Sequence, residues 1–208
     1  MAEDLPIYPD RKIRTARHLA DLDALRLTTS PTVWDDADSR VARMESAGDV
    51  AAARAVLERL APETLLVAHA RLFPGAAGAG VWRVSTPEPV YRGQDCAPPE
   101  YIERSIINLL GWLEADSFLE LHPIEQAALT ITRVVDIWPF ETGNITMAVL
   151  LANHFLSRNG FDPFFVPPEH MAEFHAILAR GITMDTQPLV QAIYDTLWRE
   201  MKARTRLL

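Results

Sequence analysis

The stretch from Trp138 to Leu156, WPFETGNITMAVLLANHFL, constrains the fold more than any other part of the chain. Pro139 must end the preceding helix, and Thr142-Gly143-Asn144 is a polar turn before the next one. The residues after this turn are apolar on nearly every side of a helix, which is typical of a central helix enclosed by others. They are Ile145, Met147, Ala148, Val149, Leu150, Leu151, Ala152, Phe155 and Leu156. The sequence therefore predicts a buried helix that begins at a polar, glycine-containing turn.

Helical signals also cover most of the remaining chain. Proline at a first helical position and apolar residues at i, i+3, i+4 and i+7 indicate helices on both sides of the central one. Predicted starts lie at Ser30-Pro31 (running to Glu45), Gly48-Asp49, Pro62, Pro99 and His122-Pro123, followed by helices from Pro168 to Arg180 and from Pro188 to Arg204.

One segment breaks this helical rhythm. Residues 81–93, VWRVSTPEPVYRG, have β-branched and aromatic residues on both sides of Thr86-Pro87-Glu88-Pro89, which predicts a short hairpin at an exposed edge. We therefore predict an all-α helical bundle with a small β-hairpin. The expected organisation is a helical extension over residues 1–61, packed on a core domain over residues 62–208.

Composition excludes several classes of function. Lys and Arg total 20 against 28 Asp and Glu, a net charge of -8, and no basic stripe indicates nucleic-acid binding. The single Cys96 and the absence of zinc-ligand spacing among the six histidines predict a reducing compartment and no metal site. The start MAEDLPIYPD has no signal-peptide character, so we expect a cytoplasmic protein without a membrane span. The excess of Arg over Lys and the abundant Ala hint at a bacterial genome.

The order of several segments resembles the Fic (Fido) family. They are LFPGAAGAGVWR, the hairpin, PPEYI, HPIEQAA and PFETGN, and the likeness extends from about Pro62 to Leu197. Members of this family typically transfer AMP from ATP to a hydroxyl of a target protein. The resemblance implies a Fic-like helical bundle in which the hairpin is the flap that aligns target segments.

The active-site motif departs from the family pattern at most positions. The pattern is His, any residue, Phe, any residue, Asp or Glu, Gly, Asn, Gly, Arg, two residues and Arg. The corresponding residues here are Trp138, Pro139, Phe140, Glu141, Thr142, Gly143, Asn144, Ile145, Thr146, Met147, Ala148 and Val149. Only Phe140, Gly143 and Asn144 match.

Each replacement removes a chemical function that the resemblance implies. The family histidine is a general base, typically worth about 10²–10⁴ in rate, whereas the indole of Trp138 only donates a hydrogen bond. Thr142 replaces the acidic residue that would hold Mg²⁺, which prefers charged oxygen ligands. Thr146 and Val149 replace two phosphate-binding arginines, and Ile145 replaces a glycine that permits close backbone approach.

These changes predict a catalytically degenerate protein that binds a partner protein or, through a vestigial pocket, a nucleotide. The pocket residues would be Trp138, Phe140, Glu141, Thr142, Gly143, Asn144 and Thr146, with the helix start as an anion cradle and no cofactor expected. The alternative is an active transferase of AMP or a related phosphate-containing group, which would use Mg-ATP held by Glu141 or Thr142.

The flap provides the predicted docking element, because edge pairing needs none of the lost motif residues. Arg83, Val84, Val90 and Tyr91 would receive a target or regulatory protein there, and the alternative is a solvated loop without a partner.

Purely structural roles also stay open for several other residues. Trp138 would plug the pocket, Glu141 would be a solvated carboxylate, Asp136 would form a salt bridge or cap, His154 would be a hydrogen-bonded core residue, and Glu45 would be a helix-end carboxylate rather than part of an inhibitory helix.

Overall fold

The computed structural model describes residues 48–205, and within this range the chain is helical. The eight α-helices of this part are α1 (Val50–Val56), α2 (Pro62–Leu72), α3 (Ile102–Leu113), α4 (Asp116–Leu119), α5 (Pro123–Ile137), α6 (Asn144–Arg158), α7 (Met171–Ile182) and α8 (Gln187–Thr205). Short 3₁₀ helices at Pro99–Tyr101 and Pro168–His170 precede α3 and α7. The predicted all-α bundle is confirmed. The predicted helix from Ser30 to Glu45 lies outside the described residues.

The helix starts follow the sequence signals closely. Asp49 caps α1, with its carboxylate accepting a hydrogen bond from the Ala52 N–H at 2.8 Å. His122 caps α5 in the same way, and the Glu125 carboxylate accepts from the His122 N–H at 3.0 Å. These reciprocal bonds satisfy amides that a helix start leaves without partners.

Helix α6 is the centre of the core. Every residue from Asn144 to Leu156 is buried, as the all-round apolar pattern predicts. It packs most extensively against α5 and also contacts α1. Residues 138–144, which we call the hinge, therefore lie between two large helices, so the geometry of the hinge depends on packing on both sides.

The predicted hairpin is wrong: residues 81–93 form an extended loop, and no strand occurs among residues 48–205. Pro87 and Pro89 lack the N–H groups that a two-stranded ladder requires. The Arg83 N–H instead donates to the Pro139 carbonyl at 3.0 Å, which ties the loop to the hinge. The flap of the sequence prediction is thus a loop held by the helical core, and we call residues 81–93 the flap loop.

None of the helices in the described range is long and apolar enough to cross a membrane.

Candidate functional site

Trp138 occupies the first motif position, at the end of α5. Its backbone is left-handed, with φ of 51°, and its N–H donates to the Val134 carbonyl at 3.0 Å. The half-buried indole packs on the core and meets the ring of Tyr91 edge-on, with centroids 6.5 Å apart. Trp138 therefore lies between the core and the flap loop.

Two hydrogen bonds between Asn144 and Phe140 stabilise the hinge. The Asn144 side chain accepts from the Phe140 N–H at 2.9 Å and donates to the Phe140 carbonyl at 2.8 Å. Both residues are buried, with Phe140 fully inaccessible to solvent. These two bonds fix the turn before α6 without any bound group.

Gly143 is required by the same turn. Its φ is 75°, a left-handed conformation that favours glycine, and a Cβ at this position would overlap the ring of Phe73. Gly143 thus permits both the turn and the close approach of α2. Its presence, like that of Asn144, is explained by packing.

His69 is a central residue of the site that the motif comparison missed. Its Nδ1 accepts from the Gly80 N–H at 3.0 Å, and its Nε2 donates to the Thr142 carbonyl at 3.0 Å, which defines the neutral tautomer. Burial lowers the pKa of His69. The available signal was its place on the apolar stripe of α2 with Leu65, Ala68 and Leu72.

Glu141 bridges the hinge to the flap loop. Its two carboxylate oxygens accept from the Ser85 hydroxyl at 2.9 and 3.0 Å, and one of them also lies 3.3 Å from the Val84 N and 3.4 Å from the Ser85 N. The sequence expectation of a solvated carboxylate is thus refined: Glu141 is exposed but hydrogen-bonded.

The remaining motif positions place no charge at the hinge. Thr142 is exposed, whereas Thr146 and Val149 are fully buried in α6. The positions at which the resemblance implies arginines therefore contribute to the core. An arginine at either one would stand where the present side chain is fully buried, and its charge would cost free energy there unless it were paired.

Two of the four predicted docking residues require correction. Arg83 is 2% exposed, and its guanidinium donates to main-chain carbonyls of the core and loop rather than pointing outward. The acceptors are Trp138 and Ser85, each at 2.6 Å, Ala97, and Ile137 at 3.5 Å. Such a buried charge is stable only because its donors are satisfied internally. Arg83 therefore stabilises the flap loop.

Tyr91 is likewise buried, at 5% exposure, so it cannot present its side chain to a partner. Its hydroxyl lies 2.6 Å from the Nδ1 of His175, which anchors the flap loop to α7. Val84 and Val90 are exposed at 88% and 52%, so the predicted docking surface is reduced to the apolar side chains.

Asp136 and His154 have structural surroundings. The Asp136 carboxylate lies 3.9 Å from the guanidinium of Arg133 and accepts from the Asp95 N–H at 3.5 Å, and burial raises its pKa. His154 is buried as predicted, but its Nε2 has no hydrogen-bond partner in the described part of the chain. Burial lowers the pKa of His154, so its ring is favoured in the neutral form.

No group of three or more His, Cys, Asp or Glu side chains among the described residues is arranged to hold a metal ion.

Comparison with known proteins identifies this arrangement. The family model described as the Fic/DOC family matches residues 59–156, from just before α2 to near the end of α6. Residues 59–156 therefore belong to the Fic/DOC family. The resemblance inferred from the segment order is confirmed, and the hinge described above lies within this Fic domain.

Two named relatives are animal proteins. Protein adenylyltransferase fic-1 of Caenorhabditis elegans is 31% identical over 137 residues, which cover 65% of this chain and 27% of the relative. Protein adenylyltransferase Fic of Culex quinquefasciatus is 32% identical over 91 residues, covering 44% of this chain and 18% of the relative. The chain thus spans about a quarter or less of the length of these relatives.

Solved structures share the fold. A variant of Fic-1 from C. elegans matches with a TM-score of 0.67 and 27% identity, covering 76% of this chain and 49% of that one. A Fic domain protein from Bacteroides thetaiotaomicron has a TM-score of 0.62 at 24% identity, covering 82% and 69% of the two chains. The helical bundle around the hinge is therefore a Fic fold.

Proposed function

We propose that this Fic domain acts by binding a partner protein along the flap loop and has no efficient AMP-transfer activity. One observation carries the proposal: the motif residues that remain all hold the hinge together, and the positions that would perform chemistry are neutral or buried. Phe140 and Asn144 bond to each other, and Gly143 makes room for Phe73. Their retention needs no nucleotide to explain it.

The charge at the hinge disfavours a nucleotide. Between Trp138 and Val149 the only charged side chain is Glu141, and a carboxylate repels phosphate oxygens. The Asn144 side chain is already bonded to Phe140, which leaves backbone N–H groups and the helix dipole as attractive elements. This arrangement supports a protein ligand over a nucleotide.

The Mg-ATP of the alternative does not fit the residues present. Magnesium needs hard, charged oxygen ligands, and Thr142 offers a neutral hydroxyl. The Glu141 carboxylate already accepts from the Ser85 hydroxyl, whose one hydrogen lies between its two oxygens. The hinge residues therefore do not fit a metal-assisted transfer, and adenylyl transfer, the activity in the names of the relatives, is the alternative to test.

The flap loop has the features of a docking edge. Val84, Val81 and Val90 are exposed at 88%, 54% and 52%, so the loop carries apolar side chains that a partner segment can cover. Glu141 holds the Val84 and Ser85 amides by long, exposed bonds, which contribute little stability. Carbonyls of an extended partner segment can replace that carboxylate while its side chains cover the valines.

The test of the enzyme alternative is labelling with ATP carrying the label on its α-phosphate, with Mg²⁺ and a cell lysate. The C. elegans adenylyltransferase provides the positive control, and the Glu141→Gln and Thr142→Ala variants change exposed side chains of the hinge. We expect no more labelled protein than a control reaction with the heat-denatured protein gives. Strong labelling that either variant abolishes would reject the proposal.

The docking test uses a photocrosslinking residue at Val84, with the same residue at Ile107 as the control. Ile107 is 53% exposed and belongs to α3, a different element from the flap loop. We expect one discrete cross-linked protein from position 84 that Val90→Glu abolishes and that position 107 does not give. Identical products from both positions would contradict docking at the flap loop.

Titration of the intrinsic tryptophan fluorescence with ATP tests the vestigial nucleotide site, and we expect no saturable change.

A further inference from the structure

A concave site lies between residues 164–170, α7 and α8, all of which follow the motif segment in the sequence. The cavity has a volume of about 530 Å³. This is within the range of about 300–1,000 Å³ that small-molecule sites commonly have. Nothing in the motif or the flap loop contributes to it, so it is independent of the proposed function.

The floor of this cavity is apolar and aromatic. Phe164, Phe165 and Phe174 line it together with Ile177 and Pro188. The three phenylalanines are buried, with Phe174 at 3% exposure, so the floor is held rigidly by the core. Aromatic faces of this kind attract cations as well as apolar groups.

The polar wall of the cavity has an excess of carboxylates. Glu173 on α7 and Asp195 and Glu200 on α8 face the same space as Arg199 and His170. The Arg199 Nε donates to the main-chain carbonyl of Asp195 at 3.2 Å, so the guanidinium lies along its own helix. His170 lies 3.7 Å from Glu173 at an exposed rim. Among the lining residues that the structure describes, three carboxylates therefore stand against one guanidinium.

Asp195 is the carboxylate best placed to select a ligand. It is half-buried, and one of its oxygens accepts from the Gln191 side chain at 2.7 Å, which fixes its orientation. Burial raises the pKa of Asp195, while Gln191 and Arg199 lower it. A cation beside this group would interact in a medium less polar than water, where charge attraction is strengthened.

We propose that this cavity binds an organic cation, an ammonium group carried on an aromatic or similarly bulky apolar body. The body lies on the phenylalanine floor, and the ammonium group lies beside Asp195. An anion of the same shape meets the carboxylate wall, and a neutral analogue loses the ionic contact. Among ligands of the same shape, the site therefore prefers the cation to the neutral molecule and the neutral molecule to the anion.

The test titrates the full 208-residue protein with 2-phenylethylammonium, 2-phenylethanol and phenylacetate, followed by amide chemical shifts. We expect saturable shifts at α7 and α8 with the ammonium probe. Binding of the alcohol should be about tenfold weaker, as the loss of one charge-assisted contact implies, and phenylacetate should bind more weakly still. Equal binding of the ammonium and phenylacetate probes would overturn the proposal, as would the absence of saturable shifts with the ammonium probe.

Two variants separate charge from shape. Asp195→Asn keeps an acceptor for Gln191 and should reduce ammonium affinity about tenfold while leaving 2-phenylethanol binding unchanged. Glu103→Gln, on the exposed face of α3, makes the same charge change elsewhere and should have no effect. Ala192→Phe fills the cavity and should abolish binding of both probes. Unchanged ammonium affinity in a folded Asp195→Asn protein would contradict the assignment.

Discussion

The imidazole of His69 lies parallel to the ring of Phe140, with centroids 3.9 Å apart and planes 5° apart. This contact joins α2 to the hinge before α6, and the two hydrogen bonds of His69 extend the connection to Gly80 and Thr142. A histidine outside the family motif thus connects α2, Gly80 and the hinge.

Acidification should destabilise the fold through this histidine. Burial lowers the pKa of His69 in the folded state, whereas the unfolded value is about 6.5. Below that value the unfolded chain binds a proton that the folded chain excludes, so the free energy of unfolding falls as the pH is lowered. Urea unfolding at about pH 7.5 and about pH 5.5 measures this, because the two values lie on either side of the unfolded pKa.

The contribution of His69 can be separated from that of His154, whose pKa burial also lowers. His69→Gln removes one titrating group and should make the pH dependence smaller, and a further His154→Gln change should reduce it again. A pH dependence of the unfolding free energy that is the same in His69→Gln as in the wild type would contradict the assignment of a buried neutral His69, because the carboxyl groups with raised pKa are common to both proteins.

Gly143→Ala should destabilise the protein by more than its backbone cost. The left-handed conformation alone costs about 1–2 kcal/mol for a residue with a Cβ, and overlap with Phe73 adds about 1–3 kcal/mol. Gly75→Ala is the matched control, because Gly75 also has positive φ but nothing within 4 Å of a Cβ. Chemical unfolding should show a larger loss at 143 than at 75, and equal losses would exclude the Phe73 contact as the cause.

Asn144→Ala should lower the free energy of unfolding by about 2–4 kcal/mol, because it leaves a buried N–H and a buried carbonyl of Phe140 unpaired. Asn159→Ala is the control: Asn159 donates to the Phe155 carbonyl at the exposed end of α6, so its loss should cost less than about 1 kcal/mol. Similar losses for the two variants, measured by urea unfolding, would show that the hinge bonds do not contribute as described.

Arg83→Met should destabilise the protein by about 3 kcal/mol or more, since several main-chain carbonyls lose a charged donor. Arg83→Lys should recover less than half of that loss, because an ammonium group cannot reach carbonyls in different directions as a guanidinium does. Thermal unfolding of both variants measures the difference. An exposed docking role would instead leave both variants as stable as the wild type.

Glu141→Ala should loosen the flap loop without unfolding the core. Amide hydrogen exchange at Val84 and Ser85 should accelerate about twofold to fivefold, as expected for an exposed interaction of about 0.5–1 kcal/mol. The Arg83 amide, bonded to the Pro139 carbonyl, should be unaffected. Glu88→Ala removes another exposed carboxylate of the loop and should change none of these amides.

The fold was largely predictable because helix signals are local. Apolar spacing, the prolines at helix starts and the all-round apolar pattern of α6 act within a few residues. Each predicted helix in the described range begins at or within a few residues of its predicted position, whereas the short α4 was not predicted. The flap loop shows the limit: its β-branched residues favoured strands, but its amides find acceptors in the core and in Glu141 instead.

By itself, the sequence determined which chemical groups stand in the motif. An indole replaces a base, and no cation lies between Trp138 and Val149, whatever the packing. Only the tertiary structure decided where the flanking side chains point. His69 meets Thr142 across 73 positions and Arg83 meets Trp138 across 55, and no local pattern encodes such pairs. They form because the helices pack in one arrangement, in which buried donors must find carbonyls within reach.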